Sequence, residues 1–275
     1  MQSQINRDLK GLNCWLLANK ISLNATKTEL VIFRKPSQKI PPINIKINGV
    51  RVVQTSSVKY LGVYLDQFLV GWAHCTYLHT KLQRANDMLA KARHHLKNDL
   101  NSLLSLYYSI FSSHMVYGCQ VFGQTENKFV KKIQVLQNNA LRLITFADSF
   151  RDHVSHIFKK LNILKFRDYV SLQNLLFIHD YFNGNLPECF NGYLTLLQDA
   201  HGHATRNSLS SHIVVPLCDS DRFGRKSFKV QSTLLWNNIT AKFPNENFIN
   251  ISRSKFKNIL TNYFIGTYHE IQPNL

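Results

Sequence analysis

Two aspartates one residue apart at the end of an apolar run could clamp divalent metal ions for phosphoryl transfer. Asp219-Ser220-Asp221, after Val214-Val215-Pro216-Leu217-Cys218, is the one close acidic pair joined to such a run. Pro216 removes an N–H that a central strand needs, so a loop or turn is expected there rather than a metal-bearing strand. Histidine and cysteine offer a second chemistry. Cys75 and His79 share a helical face, as do His153 and His156, and His201 and His203 alternate. Zinc takes three or four convergent ligands, usually announced by two tight pairs. None of these pairs meets that pattern, and they read as surface or internally satisfied side chains. Gly49, Gly62 and Gly71 are isolated, so no phosphate-cradling loop is expected either. The sequence calls for no resident metal and no cofactor.

The cations make the stronger pattern. Lys128, Lys131, Lys132 and Arg142 lie opposite the apolar face Phe129, Ile133, Leu136, Ala140 and Leu143, with no acidic residue among them. Lys81, Arg84, Lys91 and His95 form a stripe beside the seam Leu78, Leu82, Ala85, Leu89, Ala92 and Leu96. A solvated helix face normally mixes both signs of charge. A basic residue at every turn instead suits a phosphate backbone, with binding that is salt-sensitive and indifferent to sequence. The whole chain agrees, with 33 Lys and Arg against 16 Asp and Glu for a net charge of +17. A polyanionic partner is expected, nucleic acid first and an anionic membrane surface second. A hydrophobic fraction of 44% belongs to a folded protein rather than a basic tail.

The elements that must position these residues follow from periodicity. Ile5, Leu9, Leu12 and Leu16 have helical spacing. The run Leu30 to Phe33 predicts a strand. Ile43, Ile45 and Ile47 alternate with polar residues up to Asn48-Gly49, and Val50 and Val52 follow, predicting a tight hairpin. Val58 to Leu65 predicts a further strand. The two seams above predict long helices, and further helices are expected near 153–163 and 166–183, the last ended by Asn183-Gly184 and Pro187. Residues 198–225, with Arg206, Arg222, Arg225 and Lys226 among Ser, Asn and Gly, predict a basic irregular connector. Helices through Phe228–Ile239 and Ser254–Phe264 close the chain. Between Leu100 and Thr125 no Asp, Glu, Lys or Arg occurs. Ser102, Ser105, Ser109, Ser112 and Ser113 nevertheless stripe one face opposite Leu100, Leu103, Leu104, Tyr107 and Phe111, which argues for a half-buried helix and against a membrane span. Five cysteines at wide, unequal spacing with no CxxC suggest reduced thiols inside a cell, nucleus or cytoplasm left open. The charged N-terminus offers no secretory core.

Several blocks, in order, resemble the reverse transcriptases of non-LTR (LINE-type, Jockey- and CR1-like) retrotransposons. Leu12-Asn13-Cys14-Trp15-Leu16, Asn19-Lys20, Ser22-Leu23-Asn24 and Lys27-Thr28 are similar to the segment after the family's catalytic YADD hairpin. Val58 to Asp66 resembles its primer-grip hairpin, followed by Trp72 and His74. Leu106-Tyr107, Met115-Val116-Tyr117-Gly118 and Phe122-Gly123 resemble the thumb and post-thumb, with Phe122 where the family usually has Trp. Leu136-Gln137-Asn138-Asn139-Ala140-Leu141-Arg142 and, later, Gly224-Arg225-Lys226-Ser227-Phe228 and Leu235-Trp236-Asn237-Asn238 complete the series.

This resemblance implies an α+β chain: a short antiparallel hairpin or meander left from a palm at 1–66, a mainly α-helical thumb-like and post-thumb region at 67–197, and the basic connector with C-terminal helices at 198–275. It implies that the fingers and the catalytic aspartates would lie before Met1. Lys27 would then touch the incoming nucleotide or supply a proton, or be a solvated lysine flanking a strand. Tyr60, Leu61 and Gly62 would sit on a primer grip, or on a core strand whose Gly62 allows close approach. RNA or RNA–DNA hybrid is the expected partner, held without sequence preference by Lys81, Arg84, Lys91, Lys128, Lys131, Lys132 and Arg142. Palm strands without neighbours would leave sheet edges and apolar surface open to self-association.

Overall fold

The computed structural model describes residues 2–40, 43–97, 99–124, 127–147, 154–200, 211–218, 220 and 224–268. Two compact units, residues 1–76 and 77–275, divide the chain within one long helix.

In the first unit, α1 (Gln2–Ala18) precedes six short strands: β1 (Glu29–Leu30), β2 (Lys46–Ile47), β3 (Val50–Arg51), β4 (Val53–Gln54), β5 (Ser57–Tyr60) and β6 (Val63–Asp66). The predicted Asn48-Gly49 hairpin is present. Ile47 pairs with Val50, and both turn residues have positive φ, as a two-residue turn between right-twisted strands requires. Ile45, Ile47 and Val52 form a small core, with Ile5, Leu9, Leu23 and Leu30 packed against it. Asn6 fastens α1 to that hairpin: its Oδ1 accepts from Lys46 N at 3.1 Å and its Nδ2 donates to Asn44 O at 3.4 Å. Only the first half of the predicted α1 stripe is used, for Leu12 is 46% exposed.

Two expectations are corrected here. The sheet is not one antiparallel meander: β1 pairs in parallel with β4, and the three strand pairs are separate. Backbone pairing between residues 24 apart in sequence is invisible to periodicity. Residues 58–65 are also not one strand but the antiparallel hairpin β5–β6, in which Tyr60 pairs with Val63. Leu61 and Gly62 both carry positive φ, 45° and 86°. A leucine in that conformation is uncommon, which hid the turn inside an apolar run.

After β6 the Asp66 carboxylate, 1% exposed, accepts hydrogen bonds from Phe68, Val70 and Gly71 N at 3.1, 3.2 and 2.8 Å. That ring of donors compensates its burial and sets the entry to α2 (Trp72–His95). One turn into α2, His74 is buried and its Nδ1 accepts from Tyr64 N at 3.3 Å. Burial pushes its pKa from 6.5 down to about 4. Between those values the unfolded chain binds the proton and the folded one does not. Stability of residues 1–76 is therefore full above pH 6.5 and falls as pH drops toward 4, by an amount that partial solvent screening holds to about 2 kcal/mol. Urea midpoints at pH 7 and pH 4.5 measure this, and His74→Gln flattens the histidine part of the difference.

The second unit is helical: the rest of α2, then α3 (Leu100–Leu106), a π-helical turn (Tyr107–Ser112), α4 (Ser113–Val116), α5 (Cys119–Phe122), α6 (Asn127–Ile144), α7 (Ser155–Lys160), α8 (Phe166–Phe182), α9 (Leu197–Ala200), α10 (Phe228–Lys242) and α11 (Arg253–Gly266). Leu103, Tyr107, Phe111 and Met115 are buried at a spacing of four, while Ser105 and Ser109 turn outward and bond back to carbonyls of the preceding turn. Among the described residues no helix is long and apolar enough to cross a membrane. At the centre, α8 packs against α10, α11 and α6. A helix apolar on more than one face belongs in such a position. Trp236 of α10 is fully buried against Phe248 and Phe256, and the ring of His179 stacks on Phe256 at 5.0 Å.

Candidate nucleic-acid interface

Helix α6 places its cations as the spacing predicts. Val130, Ile133, Leu136, Gln137, Ala140, Leu141 and Ile144 are buried. Lys128, Lys131 and Lys132 are exposed, and Arg142, half-buried, lies two to three turns further along the same face. The arrangement costs helix stability. Lys128 and Lys131 stand near an N-terminus that has no acidic residue in its first turn, where the helix dipole favours anions by roughly 0.3–1 kcal/mol per charge. Cations kept against that field make a positive patch and not a structural support.

The second predicted stripe meets this helix at one groove. Thr80, Arg84, Asn86 and Asp87 of α2, with Leu136 and Asn139 of α6, line an open cleft of about 540 Å³. Arg142 Nη1 donates to Asn139 Oδ1 at 3.2 Å. Asn86, 9% exposed, donates from Nδ2 to Leu136 O at 3.1 Å and ties the helices together. Lys81, half-buried with its Nζ 5.7 Å from the Tyr77 ring centroid, and exposed Lys91 lie elsewhere on α2. Spacing arguments about cations missed Asn86 and Asn139. A polar residue one step off an apolar seam, as Asn86 is beside Leu82 and Leu89, was the available signal.

In residues 1–76, Tyr60 and Leu61 are 62% and 74% exposed at the tip of β5–β6, with Gly62 completing the turn. The tip is therefore no core strand. Lys27 is exposed at the end of a single 3₁₀ turn (Ala25–Lys27), its N–H bonded to Asn24.

Cys119 is buried, and its thiol is pushed up to about 12 by desolvation, which keeps it protonated and unreactive. Among the described residues no three His, Cys, Asp or Glu converge as metal ligands. Asp219, Asp221, His153, His201, His203, Arg206 and Arg222 lie outside the described residues.

The residues that carry the family resemblance are largely architectural. Phe122 stacks on Phe166 at 6.1 Å. A side chain at Gly123 would meet Val170 at 2.6 Å, so α5 approaches α8 only with glycine there. Trp236 Nε1 donates to Ser211 O at 2.9 Å, and the Asn237 amide pairs with both N and O of Ile213 at 2.8 and 2.9 Å, pinning that segment to α10.

Comparison with known proteins agrees with the family resemblance. Over 143 residues the chain is 33% identical to the probable RNA-directed DNA polymerase from transposon X-element of Drosophila melanogaster, covering 50% of this chain and 15% of that protein. It is 34% identical over 137 residues to the RNA-directed DNA polymerase from mobile element jockey of Drosophila funebris, 48% of this chain and 14% of the relative. The Drosophila melanogaster jockey polymerase matches at 28% over 177 residues, 63% of this chain and 18% of the relative. The matches thus span less than a fifth of each of these relatives. No protein-family profile matches the chain, and no solved structure does. About half of this chain is a portion related to the LINE-type, non-LTR retrotransposon reverse transcriptases.

Proposed function

We propose that this chain is a retrotransposon reverse-transcriptase fragment that holds RNA or RNA–DNA hybrid by its phosphate backbone and does not copy a template on its own. The observation that carries the binding half is the acid-free row Lys128, Lys131, Lys132 and Arg142 on one face of α6, beside similarity to RNA-directed DNA polymerases. Four cations of this kind neutralise phosphates and release counterions, so affinity falls steeply with salt. The inactivity half rests on the chemistry that copying demands, two metal ions clamped by carboxylates. The 275 residues contain no adjacent Asp-Asp pair of the YADD kind.

A filter-binding titration from about 50 to 200 mM salt tests the first half, with loss of about two orders of magnitude expected for three to four phosphate contacts. No retention of RNA at the lowest salt would end it. Primer extension with magnesium or manganese tests the second, and template-dependent product from this chain alone would refute it. The reading includes self-association of residues 1–76, where Trp15, Leu17, Ile21 and Val53 are each more than half exposed. Sedimentation across a concentration series should show the mass rising, and a constant monomer would exclude it.

A further inference from the structure

The groove between α2 and α6 differs in kind from the cationic row beside it. Arg84 and Asp87 both line it from α2 and are both exposed. Three residues apart on one helix, their Cβ atoms lie about 5–6 Å from each other. Among the described residues no ion pair or hydrogen bond ties up either side chain. One wall thus offers a planar fork of N–H donors next to a two-oxygen acceptor. A phosphate suits only the fork, because the carboxylate repels it. A nucleobase suits both. Guanine alone among the common bases sets two adjacent acceptors, O6 and N7, on one edge and two adjacent donors, N1–H and N2–H, beside them. The open cleft of about 540 Å³ has room for a purine. Asn139 joins the groove to the cationic row. It lines the cleft and follows Lys132 by two turns on the same face of α6, about 10 Å along the axis. A strand whose phosphates lie on Lys128 and Lys132 therefore brings its next bases to the mouth of the cleft.

We propose that this groove takes an unpaired guanine of the bound RNA strand, with Arg84 donating to O6 and N7 and Asp87 accepting from N1–H and N2–H. The inference rests on the backbone binding proposed above and deepens it. Arg84 reads a base instead of holding a phosphate, and the chain gains a preference for one base on top of affinity that ignores sequence.

The test is fluorescence anisotropy of the full chain at low salt with two U-rich RNA strands that differ in one central base, guanine or adenine. About tenfold tighter binding of the guanine strand is expected, the discrimination of a good bidentate pair. Inosine in place of guanine, which lacks the N2 amino group, should lose part of that gain. Annealing a complementary strand, which occupies N1–H and N2–H, should remove it. Arg84→Lys keeps the charge but not the fork, and Asp87→Asn keeps the shape but not the second acceptor. Each should bring the two affinities together, and neither exposed side chain supports the fold. A lysine or asparagine variant that keeps the tenfold ratio while its affinity for both strands shifts equally would show that the altered residue acts through charge alone and would overturn its assignment. Displacement of the guanine strand by free guanosine monophosphate as readily as by the strand itself would make the mononucleotide the ligand and overturn the strand assignment. Equal affinities with the unaltered chain would overturn the inference and leave phosphate binding intact. No binding of either strand would sink the proposed function and this inference with it.

Discussion

Replacing Lys128, Lys131 and Lys132 together by Glu should lower RNA affinity at about 50 mM salt by about 100-fold or more, reduce the slope of log affinity against log salt by about three, and leave the protein at least as stable. The two effects point in opposite directions because the two roles of these residues conflict. In the proposed binding, three exposed cations on one helical face neutralise three phosphates, and reversal adds repulsion to their loss. For stability, Glu has nearly the helix propensity of Lys. In the first turn of α6, which holds no acidic residue, it also gains from the helix dipole. A melting temperature equal to or a few degrees above that of the parent, with binding lost, is the signature of a functional patch. Retained affinity, or a salt slope that does not change, would rule out α6 as the phosphate-binding face.

Gln137→Leu should have the largest effect on folding, costing about 3 kcal/mol. The side chain is fully buried and uses both ends of its amide. Nε2 donates to Tyr107 Oη at 3.1 Å and to Leu164 O at 2.9 Å, and Oε1 accepts from Phe166 N at 2.9 Å. Phe166 opens α8, whose preceding residue Lys165 makes no side-chain cap, so Gln137 caps α8 from across the core, helped by Gln134 Oε1 at 2.9 Å. Leucine matches the volume but takes a bond from buried Tyr107 Oη and from Leu164 O and leaves Phe166 N to Gln134 alone. Gln134→Ala should cost less, about 1 kcal/mol, because that side chain is partly exposed and Gln137 still holds Phe166 N. Trp236 is the one tryptophan of residues 77–275, so its fluorescence during urea unfolding reads this unit directly. A midpoint for Gln137→Leu within experimental scatter of the parent would show that the hub does not bear stability.

The long helices α2 and α6 were legible because apolar residues recur along each at helical spacing. The seam Leu78 to Leu89 and the tail motif around Trp236 became buried faces as their spacing required. The Asn48-Gly49 turn was legible because both residues tolerate positive φ. Periodicity did not show the β5–β6 turn, though the family resemblance implied a hairpin over Val58 to Asp66, since Leu61 adopts the same conformation against its own preference and only the surrounding strands hold it there. Polar hubs were equally hidden. Gln137 and Asp66 read as ordinary polar residues in sequence, and their importance comes from partners that folding brings to them.

Local pattern and charge were enough to specify a mainly helical, strongly basic chain with a cationic face on α6, because periodicity and electrostatics act over a few residues and need no knowledge of distant neighbours. Long-range packing decided the rest. It set β1 alongside β4, buried His74 and thereby depressed its basicity, and tied Asn86 of α2 to the Leu136 carbonyl of α6. Each of these depends on which surfaces meet across tens of residues, where desolvation and hydrogen-bond satisfaction outweigh local preference.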